Sequence, residues 1–366
     1  MVQNMEKKLT ANKKILFVLA SLRGGGAERL TVDLANAAVD KGYQVTLYVA
    51  CYEGPYIDLL SSKIKIVKGL NSKFSRSLFP LKKLIKSARF HLIFCSQEYV
   101  ISIVYFALLF SGRAKKCKLI AREASTPSSN VKGSLKIQLL KYIIKAVYNR
   151  VDKLIAPTAS VKDDLKLFYG LNRNVEVMNN PISKAKVLYA ANQVSQISEN
   201  LPEEYIISVG RLIETKGVQT ILTAIRDGNL TGVSLVILGD GDYRKKLENL
   251  AFDLNLSDRV FFLGFKPNPF PYISRAKVFI SGSEYEGMPN TLLQASILNV
   301  PCISSLSTGV VHDLVDDSFI FRYGDATTLS EMLRKVYIRG VEPRNKNYQF
   351  ISPSDYLTNI IDLSDM

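Results

Sequence analysis

The stretch VFISGSEYEGMPNTLLQ, residues 278–294, changes character twice along its length. Val278–Ser281 is a short apolar run of the kind that forms a buried strand. Gly287-Met288-Pro289-Asn290 is then a turn that opens a helix. Pro289 suits the first helical turn, where its missing N–H costs nothing, and Asn299 and Pro301 supply a stop about three turns later. Helix starts carry unpaired N–H groups and partial positive charge, so they attract phosphate. Glu286, just before the turn, then stands beside whatever the phosphate is attached to. An acid next to a phosphate pocket points to group transfer from an activated donor.

Outward from this block, short apolar runs alternate with longer amphipathic ones, the pattern of a parallel sheet with crossover helices. In the first half the strands are expected at Lys14–Ala20, Gln44–Ala50, Ile64–Val67, Leu92–Ser96, Lys118–Ala121, Lys153–Pro157 and Val175–Met178. Polar and small residues around Asn192–Asn200 interrupt the rhythm. It restarts at Tyr205–Val209, Ser234–Leu238, Val260–Leu263, Val278–Ser281, Pro301–Ser304 and Phe319–Phe321. The expected division is therefore a first α/β domain over 1–183, a linker over 184–203 and a second α/β domain over 204–345. A terminal segment, 346–366, is read as packing back on the first domain. Two doubly wound halves that each bind ligand at strand carboxyl ends imply a cleft between them.

The chain of 366 residues, 47% hydrophobic and 22% charged, has the make-up of a two-domain globular protein. Its longest apolar run, Tyr99–Phe110, is short of the roughly 20 residues a spanning helix needs. Ile15–Ala20 is too brief for the core of a secretory signal. Cys51, Cys95, Cys117 and Cys302 are scattered without metal or disulfide spacing, which fits a reducing cytoplasm. The net charge of +15 is lopsided. Residues 1–185 hold 31 Lys and Arg against 12 Asp and Glu, whereas 186–366 hold 17 against 21. The first half is thus expected to face something anionic: nucleic acid, an acidic membrane or a phosphorylated substrate. A merely solubilising basic surface is the plain alternative.

Three further strand ends carry candidate chemistry. Lys14–Ala20 runs into Ser21-Leu22-Arg23-Gly24-Gly25-Gly26-Ala27-Glu28, where glycines expose amides and admit a ligand close to the backbone. The spacing matches neither the dinucleotide fingerprint nor the P-loop, and a ligand-free turn stays open. Tyr205–Val209 runs into Gly210-Arg211-Leu212 and then Lys216-Gly217, two cations suited to a diphosphate. Taken alone, they are better read as exposed loop cations. Gly239-Asp240-Gly241-Asp242 follows Ser234–Leu238 and is either a nucleotide contact or a plain turn.

Together these segments resemble the retaining glycosyltransferases of family 4, which have the GT-B fold: two Rossmann-like domains facing a cleft. The resemblance rests on GGGAERL, Asn179-Asn180-Pro181, SVGRLIETKG, VILGDGDYRKKLENLA, FLGFKPNPFPYISRAKVFISGSEYEGMPNTLLQA and VPCISS, and so covers nearly the whole chain. The GGAER loop is similar to the branch that builds bacterial surface polysaccharide and lipid-linked oligosaccharide. The resemblance implies that Arg211 and Lys216 grip the donor diphosphate and that Glu286 bonds the transferred sugar near its reacting carbon. It also implies that amides of Gly287, Met288, Pro289–Asn290 and Thr291 hold the distal phosphate. Gly25 and Gly26 would approach the donor from the other domain. Gly210 and Gly239 would lie against it, and Phe265 would wall the base.

Two departures from the family pattern stand out. Its second acid falls on Gln294, whose amide oxygen accepts hydrogen bonds without charge assistance, so weaker nucleotide binding is expected. Asn290 and Gln294 still share a helix face. His312 stands where many relatives have an acid, either as a loop residue without a role or as a substitute near the ribose. His91 is read as a packing or edge residue at the start of a strand rather than a base. No counterpart of the acceptor-side histidine is found, and Arg122 and Glu123 are the nearest candidates. Front-side attack with retention needs no enzymic nucleophile, since the leaving diphosphate can take the acceptor's proton. No metal is expected, and no cofactor beyond a nucleotide-sugar co-substrate, UDP-linked in this branch.

Pro80–Phe90 sets Leu81, Leu84, Ile85 and Ala88 against Lys82, Lys83, Lys86 and Arg89, with Phe74 and Phe79 upstream; Val131–Arg150 does likewise, but its apolar face is wide enough to be core. Basic amphipathic helices suit anionic lipid. The expected partners are therefore the donor, a saccharide or lipid-linked acceptor, and the inner face of the membrane. Nucleic acid ranks last, for want of any binding motif. The competing functional reading is a catalytically weak subunit that supports an active partner.

Overall fold

The computed structural model describes residues 13–365 apart from 71–72, 125, 131–134, 194–196 and 198. The chain divides into two compact units, Met1–Ile182 with Ile351–Met366, and Ser183–Phe350.

The first unit is built on a seven-stranded sheet: β1 Lys14–Ser21, β2 Gln44–Cys51, β3 Lys65–Lys68, β4 Leu92–Ser96, β5 Lys118–Arg122, β6 Lys153–Ala156 and β7 Glu176–Val177. Its order is β3-β2-β1-β4-β5-β6-β7, and every pairing is parallel. Such a sheet is covered on both faces, which is why Leu16 to Val18 and Leu92 to Cys95 read as unbroken apolar runs. One face packs Val18, Ile93 and Cys95 against helices Leu78–Ala88, Glu98–Phe110 and Leu135–Tyr148. The other packs Phe17, Phe94 and Ile120 against Gly26–Asp40 and the C-terminal helix Pro353–Asp365, through Tyr356, Leu357 and Ile360.

The second unit repeats the architecture with six strands: β8 Tyr205–Val209, β9 Ser234–Leu238, β10 Val260–Phe262, β11 Val278–Ser281, β12 Cys302–Ser305 and β13 Ile320–Phe321. The order β10-β9-β8-β11-β12-β13 is again all parallel. All thirteen expected strands are present, each within two residues of its expected bounds.

Two expectations require correction. Residues 184–203 are not a bare linker: Lys184–Ala191 is a helix capped by the Ser183 hydroxyl on the Lys186 amide, and it belongs to the second unit. Its Val187 and Ala191 are buried, and Asn268 Nδ2 donates to the Ala190 carbonyl at 3.0 Å. Farther along, Glu199 pairs with Lys266 and accepts from Tyr272 Oη at 2.7 Å. Burial pushes that carboxyl up, but these bonds outweigh it and hold it at about 2. The second correction concerns the basic helix. Leu81 and Ile85 are buried in the domain core and Leu84 and Ala88 pack against it. Phe74 is buried as well. The apolar stripe of Leu78–Ala88 is thus spent on the protein's own interior, leaving Phe79 exposed. Lys132 and Lys136, on the second expected basic helix, lie outside the described side chains.

Candidate functional site

In a sheet ordered 3-2-1-4-5-6, loops after the two central strands turn to opposite faces and leave a crevice at the strand carboxyl ends. In the second unit this switch falls between β8 and β11. The segments that diverge there are Gly210–Lys216 and Gly282–Glu286.

Hydrogen bonds between loop backbones hold the crevice in shape. Gly210 N donates to Leu238 O at 2.9 Å, Leu212 N to Asp240 O at 2.9 Å, and Gly239 N to Gly264 O at 2.8 Å. Across the switch, Glu284 N donates to Thr215 O at 2.8 Å. Gly217 takes φ +67° and lies so close to the facing loop that a Cβ there would sit 2.0 Å from the Gly282 carbonyl oxygen. Gly239 has φ +132°, and its Cβ would sit 1.8 Å from Gly210 O. Side chains at either position would force the loops apart.

Glu286 is held from several sides. Its amide donates to Ser307 O at 3.1 Å. The Ser283 hydroxyl donates to its Oε1 at 2.8 Å, and Ser305 Oγ in turn donates to Ser283 O at 2.5 Å. Lys216 Nζ forms an ion pair with the same carboxylate oxygen. The two side chains are 27% and 20% exposed, deep enough to feel the low dielectric yet open to a ligand. One pocket is lined by Gly210, Arg211, Lys216, Ser283, Glu286 and Thr291. Arg211 is exposed at its edge.

The helix after the turn spans Asn290–Ile297, eight residues, with Pro289 as its N-cap. Pro289 thus stands one position earlier than expected, and its carbonyl accepts from Leu293 N at 3.1 Å. Asn299, in the left-handed region at φ +57°, ends the helix after about two turns instead of three. Gly287, Met288 and Pro289 are buried, whereas Asn290, Thr291 and Gln294 are half-buried along the start of the helix. Phe265 follows β10 and is 44% exposed. His312 lies on a short helix, Val311–Leu314, and bonds Asp317 at 2.7 Å through Nδ1. That bond, then Lys346 at 2.9 Å, keeps the Asp317 carboxyl below its ordinary range. Ser283 and Ser305 went unnoticed in the sequence. A polar residue at or just past the end of a buried strand was the available signal, and it is a common one.

In the first unit the switch falls between β1 and β4, beside Gly25 and Gly26. Gly26 opens a 15-residue helix with Gly25 as its N-cap. Arg122 and Glu123 do not present themselves to a ligand: they are 1% and 2% exposed. Arg122 bonds the Asn180 side chain, and burial pulls its guanidinium below the ordinary value. Glu123 accepts from Tyr148 Oη. Burial and this carboxylate push the phenol well above its ordinary range.

Comparison with known proteins bears on the family and the fold. Residues 24–186 match the family described as Glycosyltransferase Family 4, and residues 191–349 match Glycosyl transferases group 1. The lipopolysaccharide core biosynthesis glycosyltransferase LpsE of Rhizobium meliloti is 28% identical over 78% of this chain and 77% of its own. An α-1,4-N-acetyl-D-galactosaminyltransferase of Campylobacter jejuni, named for a diphospho-undecaprenol-linked saccharide, is 27% identical over 83% of this chain and 82% of its own. The structure of Anabaena HepE in complex with UDP superposes with a TM-score of 0.71 at 17% identity, covering 96% of this chain and 97% of that one. The first family model covers the first unit from just after β1 to its last strand, the second covers nearly all of the second unit, and the chain belongs to the family 4 glycosyltransferases.

Proposed function

We propose that the chain moves a hexose or N-acetylhexosamine from a UDP-sugar to a saccharide or lipid-linked acceptor in surface-polysaccharide assembly, with retention and without a metal. The observation that carries this reading is the convergence of Arg211, Lys216 and Glu286 on one pocket at the switch point. The two cations supply the positive charge that a departing diphosphate needs. Glu286 faces the sugar and offsets positive charge gathering at its anomeric carbon. The carbon–oxygen bond to the diphosphate breaks and the acceptor oxygen bonds on the same face. The acceptor's proton passes to the leaving diphosphate. The relatives' names support the donor and acceptor classes. They favour an active transferase over a supporting subunit.

The test is incubation of the purified chain with labelled UDP- and GDP-sugars and short saccharide or polyprenyl-diphosphate acceptors. Transfer from a UDP-sugar giving the same anomer as the donor is expected by proton NMR. Transfer with inversion, or none from any nucleotide-sugar, would overturn the reading.

Membrane association belongs to the same reading. Among the described residues no helix is long and apolar enough to cross a bilayer; the contact we propose with the membrane is peripheral, through the helix that carries Phe79. Phe79, 74% exposed, shares a helix face with Lys83 and Lys86, both exposed. We expect flotation with anionic vesicles at low salt, weakened by salt and by Phe79→Ser. Equal recovery with neutral and anionic vesicles would count against it.

A further inference from the structure

Lys216 and Glu286 are assigned to opposite sides of the bond to be broken, yet in the structure they hold each other. This juxtaposition has a consequence for which ligands the pocket favours. A nucleoside diphosphate without its sugar competes with Glu286 for the Lys216 ammonium. If it wins, it leaves a carboxylate that is only 20% exposed. The Ser283 hydroxyl then remains on that carboxylate, with a second anion close by. Stranding a half-buried charge in this way is costly. An intact nucleotide-sugar instead brings sugar hydroxyls to Glu286 while its phosphates take Lys216. Both charges exchange one partner for another, and neither is stranded.

We propose that Glu286 is the residue that discriminates intact donor from spent nucleoside diphosphate, by competing for Lys216. The inference rests on the donor reading above and deepens it. Once the sugar has left with the acceptor, Glu286 recaptures Lys216 and loosens the hold on the product. The same carboxylate thus serves transfer and release, and the Ser305–Ser283–Glu286 chain of bonds keeps it aimed at Lys216.

The experiment is calorimetric titration of UDP, alongside UDP-galactose and UDP-N-acetylgalactosamine, into wild type, Glu286→Gln, Lys216→Met and the double variant. Circular dichroism and melting midpoints check that each is folded. Glu286→Gln is expected to bind UDP about tenfold more tightly than wild type, the scale of one partly buried charge pair. Its preference for UDP-sugar over UDP should shrink. Glu286→Asp, whose shorter side chain retracts the carboxylate from Lys216, should shift UDP in the same direction while keeping the charge. In the Lys216→Met background the gain should vanish. Unchanged or weaker UDP binding by Glu286→Gln overturns the proposal. So does a gain that persists without Lys216, since plain charge repulsion would then explain it. A wild type that binds no nucleoside diphosphate at all removes the donor reading itself, a different result from either.

Discussion

Glu286→Ala is expected to lower kcat by about a thousandfold, with KM for donor changing far less, because the lost interaction grows as the glycosidic bond breaks. The residue sits where the loops after β8, β11 and β12 meet: its amide is bonded to Ser307 and its carboxylate to Ser283 and Lys216. Water filling the truncated site can solvate the sugar but cannot supply a fixed negative charge. Alanine leaves the backbone bond to Ser307 intact, so the melting midpoint should move little. Initial rates with saturating labelled donor provide the measurement. A variant that keeps a tenth or more of wild-type kcat would show that the acid next to this pocket does not act on the reacting sugar.

Gly217→Ala should have the largest effect on the fold of the second unit, costing about 2–4 kcal/mol of stability. Two penalties add at this position. An L-residue at φ +67° is strained, and the new methyl would lie 2.0 Å from the backbone oxygen of Gly282. Neither atom belongs to a flexible side chain, so relief requires the β8 and β11 loops to part. That movement opens the Thr215–Glu284 bond and separates Lys216 from Glu286, so transfer should fall along with stability. Gly340, at φ +65° with nothing within 4 Å of its Cβ position, is the control. Gly340→Ala carries the backbone penalty alone, about 1 kcal/mol. Urea unfolding of both variants, followed by a probe in the second unit, makes the comparison. Equal losses at the two positions would mean that the close contact between the loops carries no energetic weight.

Much of this protein was readable from its chain. The strands were legible because a parallel sheet covered on both faces writes itself as short apolar runs, and the helices as longer amphipathic ones. The block around Glu286 and the cations at Arg211 and Lys216 stood out because each follows such a run directly. What failed was anything that depended on which neighbour a face would meet. The stripe of Leu81, Leu84, Ile85 and Ala88 looks the same whether it meets lipid or core, and it meets the core of the first unit. Arg122 and Glu123, after a strand, read as the nearest candidates for an acceptor-side group. They are buried, with partners contributed by Asn180 and Tyr148 from distant parts of the chain.

Periodicity and local composition therefore determined the class of fold, the strand positions and the identity of the charged groups at strand ends, since those depend on residues close together in sequence. Only the tertiary structure decided strand order, and with it which loops flank the switch point. It also decided that Lys216 and Glu286, seventy residues apart, share one ion pair. Pairing across such a separation is set by the sheet order that brings β8 beside β11, which no local pattern encodes.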